Sequence, residues 1–561
     1  MKTLKTISAV LLGAVVVLSC SKKQEVQYTI TVDREAITDL PAQNPGVEAL
    51  VITTDAPSWI LTAPDWVTPD ATFGPGNGQS TIVSLTIASN YKNEATETSP
   101  RSGEIKISGG RTSVSVPINQ LGHKAVIDPS SSIGGIPDLK EFLDFVEVIN
   151  NGEAPVRWMN DKFEVELKAD LDLSSVTDWT PIGNVESTGN DNNASSPKGN
   201  YFGFVFDGGG HTIRNFKATK TLAEGQTWGL FGYIYNATIK NLNLEAEVNL
   251  SASGAADAGV LVGTANSSTI ENVKVNAKIT STGTSSTKRF AVGGIAGFLF
   301  STFNSEEGIA KDTYVKNCEV TAEVNMDCGS NAAAGATGVM YGGIAAFSTN
   351  AKNDSRIHIE NCVNNGTMTV KVGRCSGICP TANYGTYMEH CTNNASQYNT
   401  IENGRIGQIC CNLSAQSHVL DCVNTGDVTT TDAATRTGAL VSLVGDNTAY
   451  IQGGERTANT GTILGGDPNY LGLICGYNNK FDHISDLVLS GRIGLYKADG
   501  NHEMYPVNSG NVMEYIGNLN KDYADKVTNI TYISPSGEPE PETPKAGGGI
   551  KDLDPVNDTW N

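Results

Sequence analysis

The chain has 561 residues, with 39 Lys and Arg against 60 Asp and Glu and a formal net charge of −21. Such an acidic chain lacks the clustered Lys and Arg that phosphate contacts need, which argues against nucleic-acid binding. Charged residues are only 18% of the chain, glycine is abundant at 60 residues, and 39% of residues are apolar. This composition argues against a mainly helical protein and is sufficient to bury a core. We therefore expect a secreted, β-rich protein.

Residues 1–20 have the features of an export signal. Lys2 and Lys5 precede an apolar stretch at 7–18, which is shorter than the ~20 residues of a transmembrane helix. The sequence VLSC at 17–20 resembles a bacterial lipobox, in which the cysteine is lipidated and becomes the first residue of the mature chain. We expect a signal peptide at 1–19 and a lipid anchor and tether at 20–25, attached through Cys20. An ordinary signal peptide with a chance cysteine is the alternative.

Residues 26–122 contain short runs of alternating apolar residues, for example at 28–32, 81–87 and 114–118, separated by turns rich in Pro, Gly and Asn. About seven short strands in this length are typical of an immunoglobulin-like β-sandwich. The segment resembles the BACON family of secreted Bacteroidota proteins, and the matching residues are Trp59, Trp66, the turn after Phe73, Asn90, 101–103 and 119–122. The two tryptophans either stack on sugars or fill the core; we favour core packing and a spacer role.

Two short motifs alternate through the rest of the chain. The first is Gly-(Gly/Leu)-(Ile/Phe/Val)-x-Gly or a relaxed form, with copies that begin at 229, 259, 293, 342, 376, 407, 438 and 472. The second has copies such as TIRNF at 212–216 and TIENV at 269–273, and its Asn, His or Asp falls at 215, 241, 272, 317, 361, 390 and 421. Four of these intervals are 26–31 residues, and two are 45 and 44. A fixed unit of this length predicts one coil of a β-solenoid, with two short strands per coil and loop insertions in the two long coils.

Stacked coils place equivalent residues on top of one another. The prediction is therefore an asparagine-like ladder and an inward ladder of Cys318, Cys362, Cys391 and Cys422, held as buried free thiols rather than disulfides. Glycines at the other corner are expected to supply positive φ and close approach between coils. Disulfides remain the alternative, because the compartment permits them.

The paired motifs resemble the GLUG-type repeats of bacterial surface proteins. The array begins with the segments WTPIG at 179–183 and FGFVFDGGGHTI at 202–213. The resemblance implies a right-handed parallel β-helix over 153–534. Apolar residues at 139, 142, 143, 146 and 149 have helical spacing and predict an amphipathic helix that caps the first coil within a linker at 123–152. A C-terminal cap is expected at 512–527, and 535–561 reads as a flexible tail.

The sequence contains no concentrated group of catalytic residue types. Asp207 lies in a turn sequence that recurs in the repeat family, and we interpret it as structural. We interpret the recurring His358, His418 and His483 as markers of coil geometry. The sequence HEMYP at 502–506 lacks the second His of a zinc-protease HExxH motif. Cysteines at 375, 379, 410 and 411 fall within the Gly motif and are expected to be buried thiols. We expect no metal and no cofactor.

The sequence thus predicts an all-β, non-catalytic lipoprotein of the outer membrane, facing the cell exterior, that binds a glycan or cell-surface ligand. The alternative is a polysaccharide lyase or hydrolase on a β-helix scaffold. The long coil between 272 and 317 carries Phe300, Phe303 and Tyr314, which we assign as candidate ligand-binding residues because aromatic faces pack on sugar rings. The alternative is that these aromatics pin the loop onto the solenoid.

Replacement of Cys20 by Ala is expected to release the protein from membranes, because the acyl acceptor is lost. Fractionation of cells that express the wild-type chain and the Cys20→Ala chain measures this. Membrane retention of the variant, with the signal peptide still attached, would contradict lipidation.

Overall fold

The structure is a computed structural model that describes residues 27–91, 98–123, 132–184, 199–282, 289–304, 309–328, 338–350, 355–431, 435–466, 470–496, 502–505, 516–517, 519, 521–533 and 535. The chain divides into two compact units, 1–126 and 127–561. The signal peptide, Cys20 and nearly all of the predicted tail lie outside the described residues. No helix within the described residues is long and apolar enough to cross a membrane.

The first unit contains two β-sheets that share one apolar core. In sheet order, the four-stranded antiparallel sheet has Ile30–Val32, Val47–Thr54, Ser80–Ile87 and Val67–Pro69. The five-stranded sheet has Ile37–Leu40, Thr112–Gln120, Arg101–Gly109, Ser58–Thr62 and Phe73–Pro75, with its first pair parallel. Trp59 is fully buried in this core, which confirms core packing for that tryptophan. Trp66 is half-buried beneath the Arg101 guanidinium, 4.6 Å from the ring centroid.

The second unit is built from three sheets in which each coil of chain pairs in parallel with the next, except for the antiparallel pair Arg492–Tyr496 and His502–Tyr505. This all-β architecture of stacked parallel strands is that of a β-solenoid, as the repeat predicts. Its handedness, and the immunoglobulin-like topology of the first unit, remain predictions. Eight coils supply strands to all three sheets, so the expectation of two strands per coil is too low.

The longest of these sheets, called the long sheet, joins 25 strands. They are Glu164–Glu166, Leu171–Asp172, Val205–Asp207, Thr212–Leu222, Thr238–Lys240, Asn243–Ala252, Thr269–Glu271, Lys274–Thr282, Thr313–Lys316, Glu319–Asp327, Ile357–Glu360, Val363–Lys371, Thr386–Glu389, Thr392–Asn393, Ser396–Asn399, His418–Leu420, Val423–Asn424, Val428–Thr430, Tyr450–Gln452, Thr457–Asn459, Thr462–Gly465, Ile484–Leu489, Arg492–Tyr496, His502–Tyr505 and Val527–Tyr532.

Two further sheets of eight strands each complete the coils. The second sheet has Gln226–Trp228, Ala256–Gly259, Phe290–Gly293, Val339–Gly342, Arg374–Ser376, Arg405–Gly407, Arg436–Gly438 and Leu471–Gly472. The third has Phe231–Tyr235, Val262–Asn266, Ala296–Ser301, Ala345–Asn350, Thr381–Ala382, Cys410–Leu413, Val441–Gly445 and Cys475–Lys480. A separate antiparallel pair, Phe303–Asn304 and Ile309–Ala310, belongs to the long loop.

The predicted N-terminal helix is confirmed as Leu139–Asn150, and the Asp138 side chain caps it by accepting a hydrogen bond from the Glu141 amide. Phe142 and Phe145 are fully buried among aromatic rings at the start of the β-solenoid, including Trp179 and Phe206. One detail of the prediction is wrong: Leu143 is 38% exposed, and Phe145 occupies the buried face instead. Two 3₁₀ helices, Val156–Trp158 and Lys521–Lys526, complete the helical elements of the described chain.

A left-handed backbone recurs at one corner of successive coils, and its residue is the Asn, His or Asp of the second motif. The φ angles at these positions lie between 45° and 59° for Asn215, Asn241, Asn272, Asn317, Asn361, His390 and Asp421. Asn and Asp tolerate this conformation better than most residues, which explains their recurrence.

The glycines of the first motif do not adopt the predicted positive φ, so that expectation is wrong. They serve close packing: a Cβ at Gly293 or Gly342 would lie 1.9 Å from the carbonyl oxygen three residues later. The expected close approach between coils is confirmed, because a Cβ at Gly294 would lie 2.1 Å from the carbonyl oxygen of Gly343 in the next coil.

The predicted cysteine ladder is confirmed as buried and reduced. All ten cysteines of the described chain are free and buried. The Cys362, Cys391 and Cys422 thiols each donate to a carbonyl of the preceding coil, at 3.4, 3.2 and 3.3 Å from Val315, Ile359 and Met388. Burial raises the pKa of Cys362 well above the ordinary thiol value, so this thiol is neutral.

Replacement of Cys362 by Asp is expected to destabilise the protein by about 3–5 kcal/mol, because a carboxylate would be buried without a partner. Replacement by Val is expected to be tolerated, since it keeps the volume and apolar character at the site. Thermal and denaturant unfolding of both variants measures this. Equal stability of the two variants would contradict an inward position for Cys362.

Candidate functional site

The three aromatic residues assigned to ligand binding do not form one exposed surface. Phe300 is only 4% exposed, and its ring centroid lies 5.6 Å from that of Phe298. Phe303 pairs with Ala310 in the antiparallel pair, and its side chain lies outside the described atoms. Tyr314 belongs to the long sheet, where its ring stacks on His358. For Phe300 the ligand-binding assignment is therefore wrong, because its buried ring packs within the fold.

The structure places Tyr314 instead in a continuous row of rings on the outer face of the long sheet, which we call the ring ladder: Tyr314, His358, Tyr387, His418, Tyr450 and His483. Parallel register brings consecutive members opposite one another, and neighbouring centroids are 4.6, 5.3, 4.0, 4.6 and 4.7 Å apart. Four contacts are stacked, and the contact between His358 and Tyr387 is edge-to-face at 89°. Strand alternation sends the intervening Val315 and Ile359 into the core.

Carboxylates surround the first half of the ring ladder. Asp312 Oδ2 lies 3.3 Å from His358 Nε2 and accepts from the Tyr314 hydroxyl at 3.3 Å. The other nitrogen of this imidazole, Nδ1, lies 3.3 Å from Glu360 Oε1. Glu389 Oε1 lies 2.6 Å from His418 Nε2. Burial lowers the pKa of His418, and this carboxylate partly offsets the shift.

A second row of side chains runs beside the ring ladder, two residues later on each strand. Register pairs its members in the order Lys240, Glu271, Lys316, Glu360 and Glu389. The first four alternate in charge, and Lys316 Nζ is bonded to Glu271 at 3.0 Å. At Glu389 the alternation ends, which leaves two carboxylates on directly opposed residues.

These contacts bring together chemical groups that are far apart in the sequence and that the sequence did not indicate as a cluster. Within the described residues, His358, Glu360 and Glu389 form a group whose possible ligand atoms all lie within 4.8 Å of one another. The repeats contained the signal: aligning HIENC at 358–362 with YMEHC at 387–391 places the two glutamates in register on adjacent coils. Asp312 carried no such signal, because it lies just before its strand begins.

The other residues considered for chemistry have structural contacts. Asp207 accepts a hydrogen bond from the Gly209 amide at 2.9 Å and another from Asn241 Nδ2 at 3.0 Å, which confirms its place in a turn. The cysteines at 375, 379, 410 and 411 are fully buried, as expected for thiols of the Gly motif. His502 lies in the strand His502–Tyr505, and its side chain is outside the described atoms.

Comparisons with known proteins find distant structural similarity alone. No protein-family model and no curated protein matches the chain. A solved structure described as "a putative immunoglobulin A1 protease from Bacteroides ovatus" is 16% identical, covers 71% of this chain and 84% of its own, and has a TM-score of 0.36. A second, described as "IgA1 Protease", is 14% identical, covers 91% of this chain and 31% of its own, and has a TM-score of 0.34. Neither assigns the chain to a family.

Replacement of Phe300 by Ala is expected to destabilise the protein by about 3–5 kcal/mol, because a buried aromatic ring is removed. Tyr398→Ala is the control, since Tyr398 is 39% exposed on another coil and its loss is expected to change stability by less than ~1 kcal/mol. Calorimetry and denaturant unfolding compare the two. An unchanged stability of Phe300→Ala would contradict the packing role.

Proposed function

We propose that the protein is a cell-surface lipoprotein that binds neutral glycans along the ring ladder without turning them over. In this proposal Cys20 carries the lipid, and the BACON-like unit is an immunoglobulin-like spacer between the outer membrane and a right-handed β-helix. The observation that supports glycan binding is the ring ladder itself. It is a row of phenol and imidazole groups, half-buried except for the buried His418, with one ring on each coil.

The packing of the rings determines which of their atoms a ligand can contact. Inside the ladder each stacked face is covered by a neighbour, and both nitrogens of His358 and Nε2 of His418 face carboxylates. The groups left for a ligand are the ring edges that carry the tyrosine hydroxyls. These hydroxyls recur on every second coil, at twice the strand spacing of ~4.8 Å. An extended polysaccharide that lies along the ladder can therefore form hydrogen bonds with one tyrosine after another.

The negative charge beside the ring ladder determines which glycans can bind. Asp312, Glu360 and Glu389 lie beside the ladder, and the whole chain has a net charge of −21. Uronic-acid or sulfated polymers would meet like charges at this surface, and their approach is therefore unfavourable. Neutral polysaccharides carry no such penalty.

The carboxylate cluster favours a second candidate function, a polysaccharide hydrolase or lyase. The possible ligand atoms of Glu360 and Glu389 lie within 4.8 Å of one another, close to the ~5–5.5 Å separation of the carboxyl pair in retaining glycosidases. Against this, Glu389 is engaged by His418 at 2.6 Å, and Asp312 is held by Tyr314 and the Arg356 amide. We therefore place non-catalytic binding first.

Affinity electrophoresis in gels that contain xylan, galactomannan or arabinan tests the proposal. A triple variant, Tyr314→Phe with Tyr387→Phe and Tyr450→Phe, keeps the stacked rings and removes three hydroxyl groups. At ~0.5–1.5 kcal/mol for each hydrogen bond, binding is expected to weaken at least about tenfold. Tyr398→Phe, which removes an exposed hydroxyl outside the ladder, is expected to bind as wild type.

The same samples are assayed for reducing sugars and unsaturated products, and none is expected. Product formation that is lost in Glu360→Gln would replace the binding proposal with the enzyme. Binding that survives the triple variant but disappears on deletion of 26–122 would assign the glycan site to the BACON-like unit.

A further inference from the structure

His358, Glu360 and Glu389 occupy a shallow site on two adjacent strands of the long sheet, Ile357–Glu360 and Thr386–Glu389. Their side chains are 16%, 28% and 24% exposed, so the site is partly sheltered and still open to solvent. One imidazole and two carboxylates supply three ligand groups, with the possible ligand atoms all within 4.8 Å of one another. Three protein ligands and an open side are the pattern of a metal site that keeps a position for water.

The groups behind these residues orient them toward the site. Asp312 Oδ2 is within 3.3 Å of His358 Nε2, which directs Nδ1 toward the two glutamates. Nδ1 is buried and makes no hydrogen bond within the described atoms, although Glu360 Oε1 lies 3.3 Å away. On the opposite side, His418 holds Glu389 at 2.6 Å. A carboxylate behind a histidine and a donor behind a carboxylate are the outer contacts that metal ligands require.

The charges along the row give an independent reason for a cation. Lys240, Glu271, Lys316 and Glu360 alternate in sign from coil to coil, which makes each cross-strand pair attractive. Glu389 follows Glu360 directly, so the next pair is repulsive. Lys316 is bonded to Glu271 on its other side. A cation between the two glutamates would restore the alternation.

From these observations we infer that His358, Glu360 and Glu389 bind one divalent transition-metal ion of the zinc type, with His358 coordinating through Nδ1. An imidazole with two carboxylates suits Zn²⁺ and its neighbours in the transition series. Ca²⁺ and Mg²⁺ prefer six or more oxygen ligands, which this site does not supply. The ring of Tyr314 stacks on the imidazole of His358 at 4.6 Å and so fixes the plane of the imidazole.

Titration of the chelator-treated full chain with Zn²⁺, in competition with a chromophoric chelator, tests the inference. One Zn²⁺ per chain is expected, with no displacement by millimolar Ca²⁺ or Mg²⁺. Glu360→Gln, Glu389→Gln and His358→Gln are each expected to weaken Zn²⁺ binding by at least about tenfold, and Asp312→Asn by about 10–100-fold, because it positions His358. Zn²⁺ is expected to raise the melting temperature of the wild type and not that of Glu360→Gln.

Two matched variants separate this site from general effects on the surface. Glu271→Gln changes a carboxylate of the same row, and His483→Gln changes an imidazole of the same ring ladder; both are expected to bind Zn²⁺ as wild type. Co²⁺ bound in place of Zn²⁺ is expected to lack the strong near-ultraviolet thiolate band, since no cysteine is a ligand. Absence of Zn²⁺ binding by the wild type, equal binding by His358→Gln, or a thiolate band would each overturn the inference. Because no glycan is present, the result is independent of the glycan-binding proposal.

Discussion

Parallel hydrogen bonding in register, from one coil to the next, is the constraint on which the rest of the β-solenoid depends. It places equivalent side chains ~4.8 Å apart along the whole array, as in the pairs Tyr387 with His418 and Glu360 with Glu389. A residue type is therefore tolerated at a position only if it can contact the residue at the same position above and below it. Aliphatic groups, thiols, amides, flat rings and opposite charges meet this requirement, and each forms its own row in this protein.

A row of buried asparagines shows how far the constraint extends into the core. Asn364, Asn393, Asn424 and Asn459 are buried, and each amide nitrogen donates to the oxygen of the next, at 2.8, 2.9 and 2.8 Å. The row begins where the inward Val320 of the preceding coil pairs with Asn364. A single buried amide would cost ~1–3 kcal/mol for each unmet hydrogen bond, whereas a continuous row satisfies nearly all of them. In this row the asparagines stabilise one another as a group.

This dependence on stacking also explains what the sequence could predict. Repetition at fixed spacing predicted the coils and the buried free thiols, because each follows from one residue type that recurs. It misassigned the backbone conformation of the motif glycines, since a positive φ and a close approach both select glycine. It missed the asparagine row, in which Asn364, Asn393 and Asn424 each follow a ladder cysteine by two residues. It also missed the carboxylate cluster, because Asp312 precedes its strand and Glu389 is a departure from the repeat.

The interior and the outer face of the β-solenoid tolerate different residues, and the candidate site lies on the outer face. Inside, a residue that cannot stack opens a cavity or leaves a polar group unsatisfied, which favours runs of one residue type such as the cysteine and asparagine rows. Outside, water screens charges and accommodates irregular side chains, so a row can change its chemistry from one coil to the next. The scaffold nevertheless keeps the outer positions at the same fixed spacing. Glu360 and Glu389 would repel one another in a flexible chain, but here the register holds them opposite one another. The imidazole of His358 lies beside them, and its contact with Asp312 fixes its orientation. Preorganisation of this kind is supplied by the buried rows, which carry no chemistry of their own.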